Sequence, residues 1–179
     1  MQQGRSIATT MGFSALDGLL MATRCGSLDP GIILHLGRAG HSFADIEDML
    51  YRRSGLLGVS AISDDIRRLL ASDDPHAAEA TELFTYRIAA ETAAMACALG
   101  GLDGIVFTAG IGEHAPAIRA AVCARLAWLG ATLDPAANAA GAALVSQPGS
   151  RVEVRVIATD EEAMIARHTT TAVERATAA

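Results

Sequence analysis
The stretch Phe107-Thr108-Ala109-Gly110-Ile111-Gly112-Glu113-His114 decides how this chain is read. An apolar run, Gly104-Ile105-Val106, leads into it, and a helical pattern starting near Pro116 leads out of it. The order is strand, glycine turn, helix. Glycines at such a turn let a ligand approach bare backbone, and the helix N-terminus behind them presents unpaired N–H groups. From the residues alone two readings stand: a nucleotide pocket, and a tight βα turn with no ligand.

Downstream, residues 116–129 read as a helix with Leu126 and Leu129 on its apolar side and Gly130 at its end. Residues 152–157 alternate apolar with charged side chains and read as a strand, and a final helix runs from Glu161 to about Glu174. With residues 103–108 as the first strand, this makes two strand–loop–helix units, 105–129 and 152–167. Alternation of this kind predicts an α/β layer fold. Upstream, Asp74-Pro75 opens the longest helix, which ends at Gly100-Gly101. Phe84, Ile88, Met95 and Leu99 mark its buried face, with Leu83 beside it and Glu91 as the polar exception. Ser42-Phe43-Ala44-Asp45 is a capping pattern for a helix with the stripe Ile46, Met49 and Leu50, and Gly55 is its candidate C-cap. Asp29-Pro30 opens a shorter element over residues 31–36. Ser14-Ala15-Leu16-Asp17 reads as a further helix start, with Leu16, Leu19 and Leu20 on one face and a stop near Cys25-Gly26. Residues 4–10 read as an end strand. No internal repeat, linker or second boundary interrupts the 179 residues, so the expectation is one domain over 1–179.

Composition narrows the function. Hydrophobic residues make up 51% of the chain and aromatics only 4%, so small-residue helix packing is expected rather than an aromatic core. A net charge of −6 and the lack of a Lys/Arg cluster argue against nucleic acid. Cys25, Cys97 and Cys123 are far apart, with no Cys-x-x-Cys pair to hold zinc. Cys97 and Cys123 read as buried thiols in helices, and a reducing cytoplasm fits them. The polar start Met1-Gln2-Gln3-Gly4-Arg5 lacks the apolar segment of a signal peptide, and no apolar run is long enough to cross a membrane. His35, His41, His76 and His168 show no ligand spacing, and Met11, Met21, Met49, Met95 and Met164 read as core filler.

Five segments, in order and over nearly the whole chain, resemble the C-terminal half of the acetate kinase family. They are residues 9–13 (Thr-Thr-Met-Gly-Phe), 18–30 (Gly-Leu-Leu-Met-Ala-Thr-Arg-Cys-Gly-Ser-Leu-Asp-Pro), 58–67 (Gly-Val-Ser-Ala-Ile-Ser-Asp-Asp-Ile-Arg), 107–114, and Thr159-Asp160-Glu161-Glu162 with Met164-Ile165-Ala166. The resemblance implies a ribonuclease-H-like fold of the actin, Hsp70 and sugar kinase superfamily. It also implies transfer of the γ-phosphoryl group of ATP to acetate with Mg2+ present, and a homodimer formed through this C-terminal domain.

The resemblance assigns roles residue by residue. Arg24, in Thr-Arg-x-Gly, would contact the transferring phosphoryl group, where a guanidinium can stabilise spreading negative charge. Read without the family, it is an arginine at a helix C-terminus. Asp65, Ile66 and Arg67 match the nucleotide-contacting Asp-Phe-Arg, with Ile66 in place of the aromatic. Read bare, they are a solvated helix start. Gly110, Ile111, Gly112, Glu113 and His114 match the adenosine loop, with His114 where the family usually has Asn. An imidazole there predicts a nucleotide affinity that changes near neutral pH. Glu161 matches the magnesium-associated acid, with Glu162 as its rival; read bare, both are first-turn acids on a helix dipole. Ala8, Ser14-Ala15 and Ala158 depart from an acid, Thr-Pro and Pro in the family.

The family's glycine-rich phosphate loop and its N-terminal domain, which brings the acetate pocket, have no counterpart in these residues. The expectation is a fragment, a truncated or split gene product, or a half-enzyme that needs a separate N-terminal half as partner, with little or no kinase activity alone and weak adenine nucleotide binding. Two other functions stay open: a non-catalytic nucleotide-binding or dimerisation module, and part of a propionate or butyrate kinase.

Overall fold
The computed structural model describes residues 1–177. The longest element, α5 (Pro75–Leu99), is the spine of the molecule. Asp74 starts it, accepting a hydrogen bond from the N–H of His76, with Pro75 in the first turn; Gly100, at φ 73°, ends it. Its buried side is lined by Ala77, Ala80, Phe84, Thr85, Ala89 and Ala96, and the short helices α3 (Gly55–Ser60) and α4 (Ile66–Leu70) and helix α7 (Pro116–Arg125) pack on it. The alanines let these helices approach closely. Ile88, Met95 and Leu99 sit only partly buried and Leu83 is exposed, so of the expected stripe only Phe84 is buried, and alanines line most of the rest of that face.

Strand β1 (Gly104–Phe107) follows α5 and pairs in parallel with β2 (Glu153–Val156), from Gly104 opposite Glu153 to Phe107 opposite Val156. The two-stranded sheet leads into a core of Phe107, Val152 and Val154 with Ile118, Val122, Cys123, Leu126 and Val145. Because the strands are parallel, the loops that leave their C-terminal ends emerge on one edge. One carries α6 (Ala109–His114), and the other leads to α9 (Glu161–Thr177). Helices α1 (Pro30–Arg38) and α2 (Phe43–Arg52) pack together before α5, and α8 (Pro135–Ala139) packs on α7. The capping box at Ser42 and Asp45 forms in both directions, and Ile46 and Leu50 are buried as the spacing requires.

Several expectations are corrected. No helix forms over residues 14–26. Gly18 is held at φ 91°, with Thr10 O so near that a Cβ would sit 2.7 Å from it, and the backbone of this segment bonds instead to distant chain. Leu56 N–H donates to Met21 O, Ser54 N–H to Thr23 O, and Cys25 N–H to Leu50 O. Local helix bonds therefore lose to long-range ones. Gly55 does not cap α2, which ends at Arg52 with Arg53 as its C-cap; it opens α3 at φ 63°, where a Cβ would lie 2.1 Å from Met21 O. Residues 4–10 form no strand and have none beside them to pair with among the described residues; only a turn closes, between Gln2 and Arg5. The expected glycine turn after β1 is itself the short helix α6. The helix over 116–129 stops at Arg125 and tightens into a 3-10 turn, Ala127–Leu129, before Gly130. Cys97 is exposed rather than buried because it faces away from the α3–α4–α7 side of α5, whereas Cys123 is buried. Met11 and Met164 lie 50% and 48% exposed, so they fill no core.

Ala61 ends α3 at φ 54°, a left-handed conformation that costs an alanine about 1 kcal/mol relative to glycine. Ala61→Gly is therefore expected to raise unfolding stability by about 1 kcal/mol in chemical denaturation. An unchanged midpoint would show that the strain is absorbed elsewhere.

Candidate functional site
Two segments far apart in sequence meet at one cleft of about 340 Å3. Its walls are Asp64, Asp65, Ile66 and Arg67 from the start of α4, and Gly110, Ile111, His114 and Ala115 from α6 and the turn after it. Asp65 caps α4 by accepting the N–H of Arg67, and its carboxylate also takes the Arg67 guanidinium at 2.7 Å. These bonds from Arg67 pull the Asp65 carboxyl down to about 2. Its charge therefore persists at every pH near neutral. Were it to stabilise the fold, that contribution would be present above the ordinary carboxylate range and lost only as the pH falls through about 2. Ile66 is buried and anchors the wall, while Arg67 is exposed at the rim, held by Asp65. On the facing wall, a Cβ on Gly110 would meet nothing within 4 Å, so the space in front of it is open to a ligand.

The facing loop is held from two sides. The carboxylate of Glu113 accepts the backbone N–H of Thr159 at 3.0 Å, which lowers its pKa, and the Thr159 hydroxyl accepts the N–H of Ala109 at 3.0 Å. The same hydroxyl lies 2.5 Å from that of Thr108. Behind the loop is Arg119, 1% exposed, whose guanidinium donates to the carbonyls of Gly112 and Glu113 and to both the backbone and side-chain oxygens of Asn138. Burial pulls the Arg119 pKa below its usual value and pushes the neighbouring Cys123 thiol up to about 11, so that thiol stays protonated and unreactive at neutral pH.

Six of the expected nucleotide residues thus share one cleft: Asp65, Ile66, Arg67, Gly110, Ile111 and His114. Gly112 and Glu113 do not line it. Gly112 packs on the Phe107 backbone, and Glu113 points to the β2 exit. Glu161 and Glu162 lie exposed in the first turn of α9, on the same sheet edge but outside the cleft lining. No cluster of three metal-binding side chains forms among the described residues. A Mg2+ ion that keeps its waters and takes substrate phosphates needs no such cluster. Glu161 and Glu162 are in no ion pair among the described residues, whereas Asp160 is engaged by the Ala163 N–H, so the donor set fits one carboxylate ligand from this chain. Arg24 lies apart from the cleft lining, with its guanidinium 5.9 Å from the Tyr51 ring centroid; it ends no helix, so its reading as a dipole partner is withdrawn. The sequence reading missed Thr108, Thr159, Arg119 and Asn138. Arg119 was findable, since it sits three and seven residues before Val122 and Leu126, on the apolar stripe of its own helix.

This arrangement places the chain among known proteins. The family model described as the Acetokinase family matches residues 1–167. The chain belongs to the acetokinase family. The acetate kinase of Rhodopseudomonas palustris is 65% identical over 167 residues, covering 92% of this chain and 42% of that protein. The acetate kinase of Methylocella silvestris is 48% identical over 179 residues, covering 99% and 44%. Among solved structures, Porphyromonas gingivalis acetate kinase superposes with a TM-score of 0.84 at 37% identity, over 90% of this chain and 42% of that one. A propionate kinase from Francisella tularensis gives 0.82 at 38% identity, over 87% and 41%. The chain therefore spans less than half the length of these acetokinase relatives. The α/β fold is that of acetate kinase structures, and among the described residues no helix is long and apolar enough to cross a membrane.

Proposed function
We propose that residues 1–179 form one domain, the ribonuclease-H-like C-terminal part of a cytoplasmic acetate kinase, and provide its nucleotide side. The observation that carries this reading is the cleft between Asp65-Ile66-Arg67 and Gly110–His114, which brings together the two segments that the resemblance assigns to nucleotide. The adenosine of ATP or ADP enters there, with Gly110 giving backbone access and the Arg67 guanidinium, exposed at the rim and oriented by Asp65, offering a plane to stack on a base. Arg24 meets the γ-phosphoryl group as an acetate oxygen attacks phosphorus and the bond to the ADP oxygen breaks, giving acetyl phosphate and ADP. Mg2+, when bound, neutralises phosphate charge, and Glu161 (or its neighbour Glu162) holds it from this side. The acetate pocket belongs to the part of the relatives these residues do not span, and the likeness to a propionate kinase keeps propionate and butyrate as alternative acyl substrates. A homodimer is part of the same reading; Ile32, Ile33 and Leu34 of α1, a helix with no buried residue, are apolar surface such a dimer would cover.

The test is acetyl phosphate formation from acetate and Mg-ATP by this chain alone and mixed with the complementary half of an acetate kinase. Product from the mixture only is the expected result. Product from the chain alone would overturn the division of labour. Nucleotide binding without product in either case would favour a non-catalytic nucleotide-binding or dimerisation module.

His114 lines the cleft and yields a further expectation. His114→Asn is expected to change ADP affinity in calorimetric titration, and an unchanged affinity refutes a role for the imidazole.

A further inference from the structure
We propose that Glu113 is a positioning residue that, with Thr159, latches the loop after β1 to the loop after β2 and so keeps the nucleotide cleft in its binding shape. The inference rests on the reading of residues 110–114 as a nucleotide loop. Glu113 belongs to that loop by sequence, yet its carboxylate leaves the cleft and accepts the Thr159 N–H at 3.0 Å. Thr159 returns the contact: its hydroxyl accepts the N–H of Ala109, the first residue of α6, and meets the Thr108 hydroxyl. Three bonds thus join two segments about fifty residues apart in the chain.

Ala109 explains why a latch is required. It is a non-glycine residue at φ 59°, a sparsely populated conformation that persists only where its surroundings hold it. Thr108, ahead of it, gives α6 no side-chain cap. The Thr159 hydroxyl takes up the N–H that this entry leaves free, and the Glu113 carboxylate closes the loop one turn later. Arg119 holds the carbonyls of Gly112 and Glu113 from behind, so the cleft-facing atoms of Gly110 and His114 lie between two fixed points. With the latch open, α6 samples other entry angles, and only part of the population binds nucleotide. The latch also joins the cleft loop to the segment that leads directly into Asp160 and Glu161.

The experiment measures ADP affinity by calorimetry and amide hydrogen exchange at Ala109 and Thr159, in the full chain and in Glu113→Ala, Glu113→Gln, Thr159→Val and the double variant Glu113→Ala with Thr159→Val. Glu113→Ala and Thr159→Val are each expected to weaken ADP roughly fivefold, as a binding-competent fraction of about one fifth requires. The double variant should be no weaker than the weaker single one, since both open the same latch. Glu113→Gln should remain within about twofold of the unaltered chain, because an amide oxygen accepts the same N–H. Exchange at both amides should quicken in the Ala and Val variants and not in Gln. A Gln variant as weak as Ala would mean that the charge itself meets the ligand and would overturn the proposal, as would additive losses. If the unaltered chain fails to bind ADP, it is the nucleotide reading that fails. The exchange rates then decide the latch alone, and unchanged rates in Glu113→Ala overturn it.

Discussion
Arg24→Ala, made in a protein that carries the whole cleft, is expected to slow acetyl phosphate formation about a thousandfold while leaving thermal unfolding nearly unchanged. The separation of the two effects follows from what Arg24 touches. Its guanidinium has no carboxylate partner among the described residues; it reaches Ala15 O at 3.5 Å and Met21 Sδ at 3.8 Å, both at the limit of bonding, and faces Tyr51. The loop around it is secured by other atoms. The Thr23 hydroxyl donates to Tyr51 O, and the backbone of Met21, Ala22 and Thr23 accepts from Leu56, Leu57 and Ser54. Gly55 makes this approach possible, since any larger residue would collide with Met21 O. A half-buried cation left unpaired on a rigid frame is poorly explained by stability and well placed to meet an anionic group. Arg24→Lys should recover charge without the planar fork and so only part of the rate. If the alanine variant unfolds in parallel with its loss of rate, Arg24 is a packing residue and the catalytic assignment falls.

The limits of sequence reading here follow from the range of the interactions. The bounds of α5 were legible because what sets them is local, Asp74-Pro75 at one end and Gly100 at the other; its buried face was less so, since alanines carry much of it where Ile88, Met95 and Leu99 were expected. Both strands were legible for the same reason. Residues 14–26 misled because Ser14, Asp17 and the leucines form a sound local helix signal, while the bonds that decide the matter come from residues 50–57. The cleft was legible through its motif residues, but the division of labour inside the motif was not. Nothing in Gly-Ile-Gly-Glu-His says that Glu113 turns away to Thr159, a partner 46 positions on. Periodicity could have revealed the buried position of Arg119, three and seven residues before Val122 and Leu126, but the residue was passed over.

What Arg119 holds makes its replacement the most damaging to the fold. Arg119→Leu is expected to lower unfolding stability by about 4 kcal/mol, since it strips the donors from four acceptors at about 1 kcal/mol each: the carbonyls of Gly112, Glu113 and Asn138, and the Asn138 side-chain oxygen. The leucine fills much of the volume, so the loss is one of unsatisfied polar atoms rather than of a cavity. No carboxylate balances this guanidinium among the described residues. Its charge rests on carbonyl dipoles, two of them at the C-terminal end of α6, where a helix presents partial negative charge. Arg119→Lys keeps the charge but cannot span α6 and α8 with one ammonium, so it should recover less than half of the loss. Asn138→Ala added to Arg119→Leu should cost little more, because the two side chains act as one unit whose other contact is Asn138 Nδ2 on Pro116 O. Urea denaturation of the four proteins measures all of this, and a loss below about 1 kcal/mol for Arg119→Leu would show that water replaces the guanidinium. A folded remnant of that variant should also bind ADP more weakly, since the α6 carbonyls that Arg119 fixes lie directly behind the cleft face of Gly110 and His114. The fold around α6 and the back of the cleft thus share one buried side chain, which explains why an arginine occupies a stripe that periodicity reserves for apolar residues.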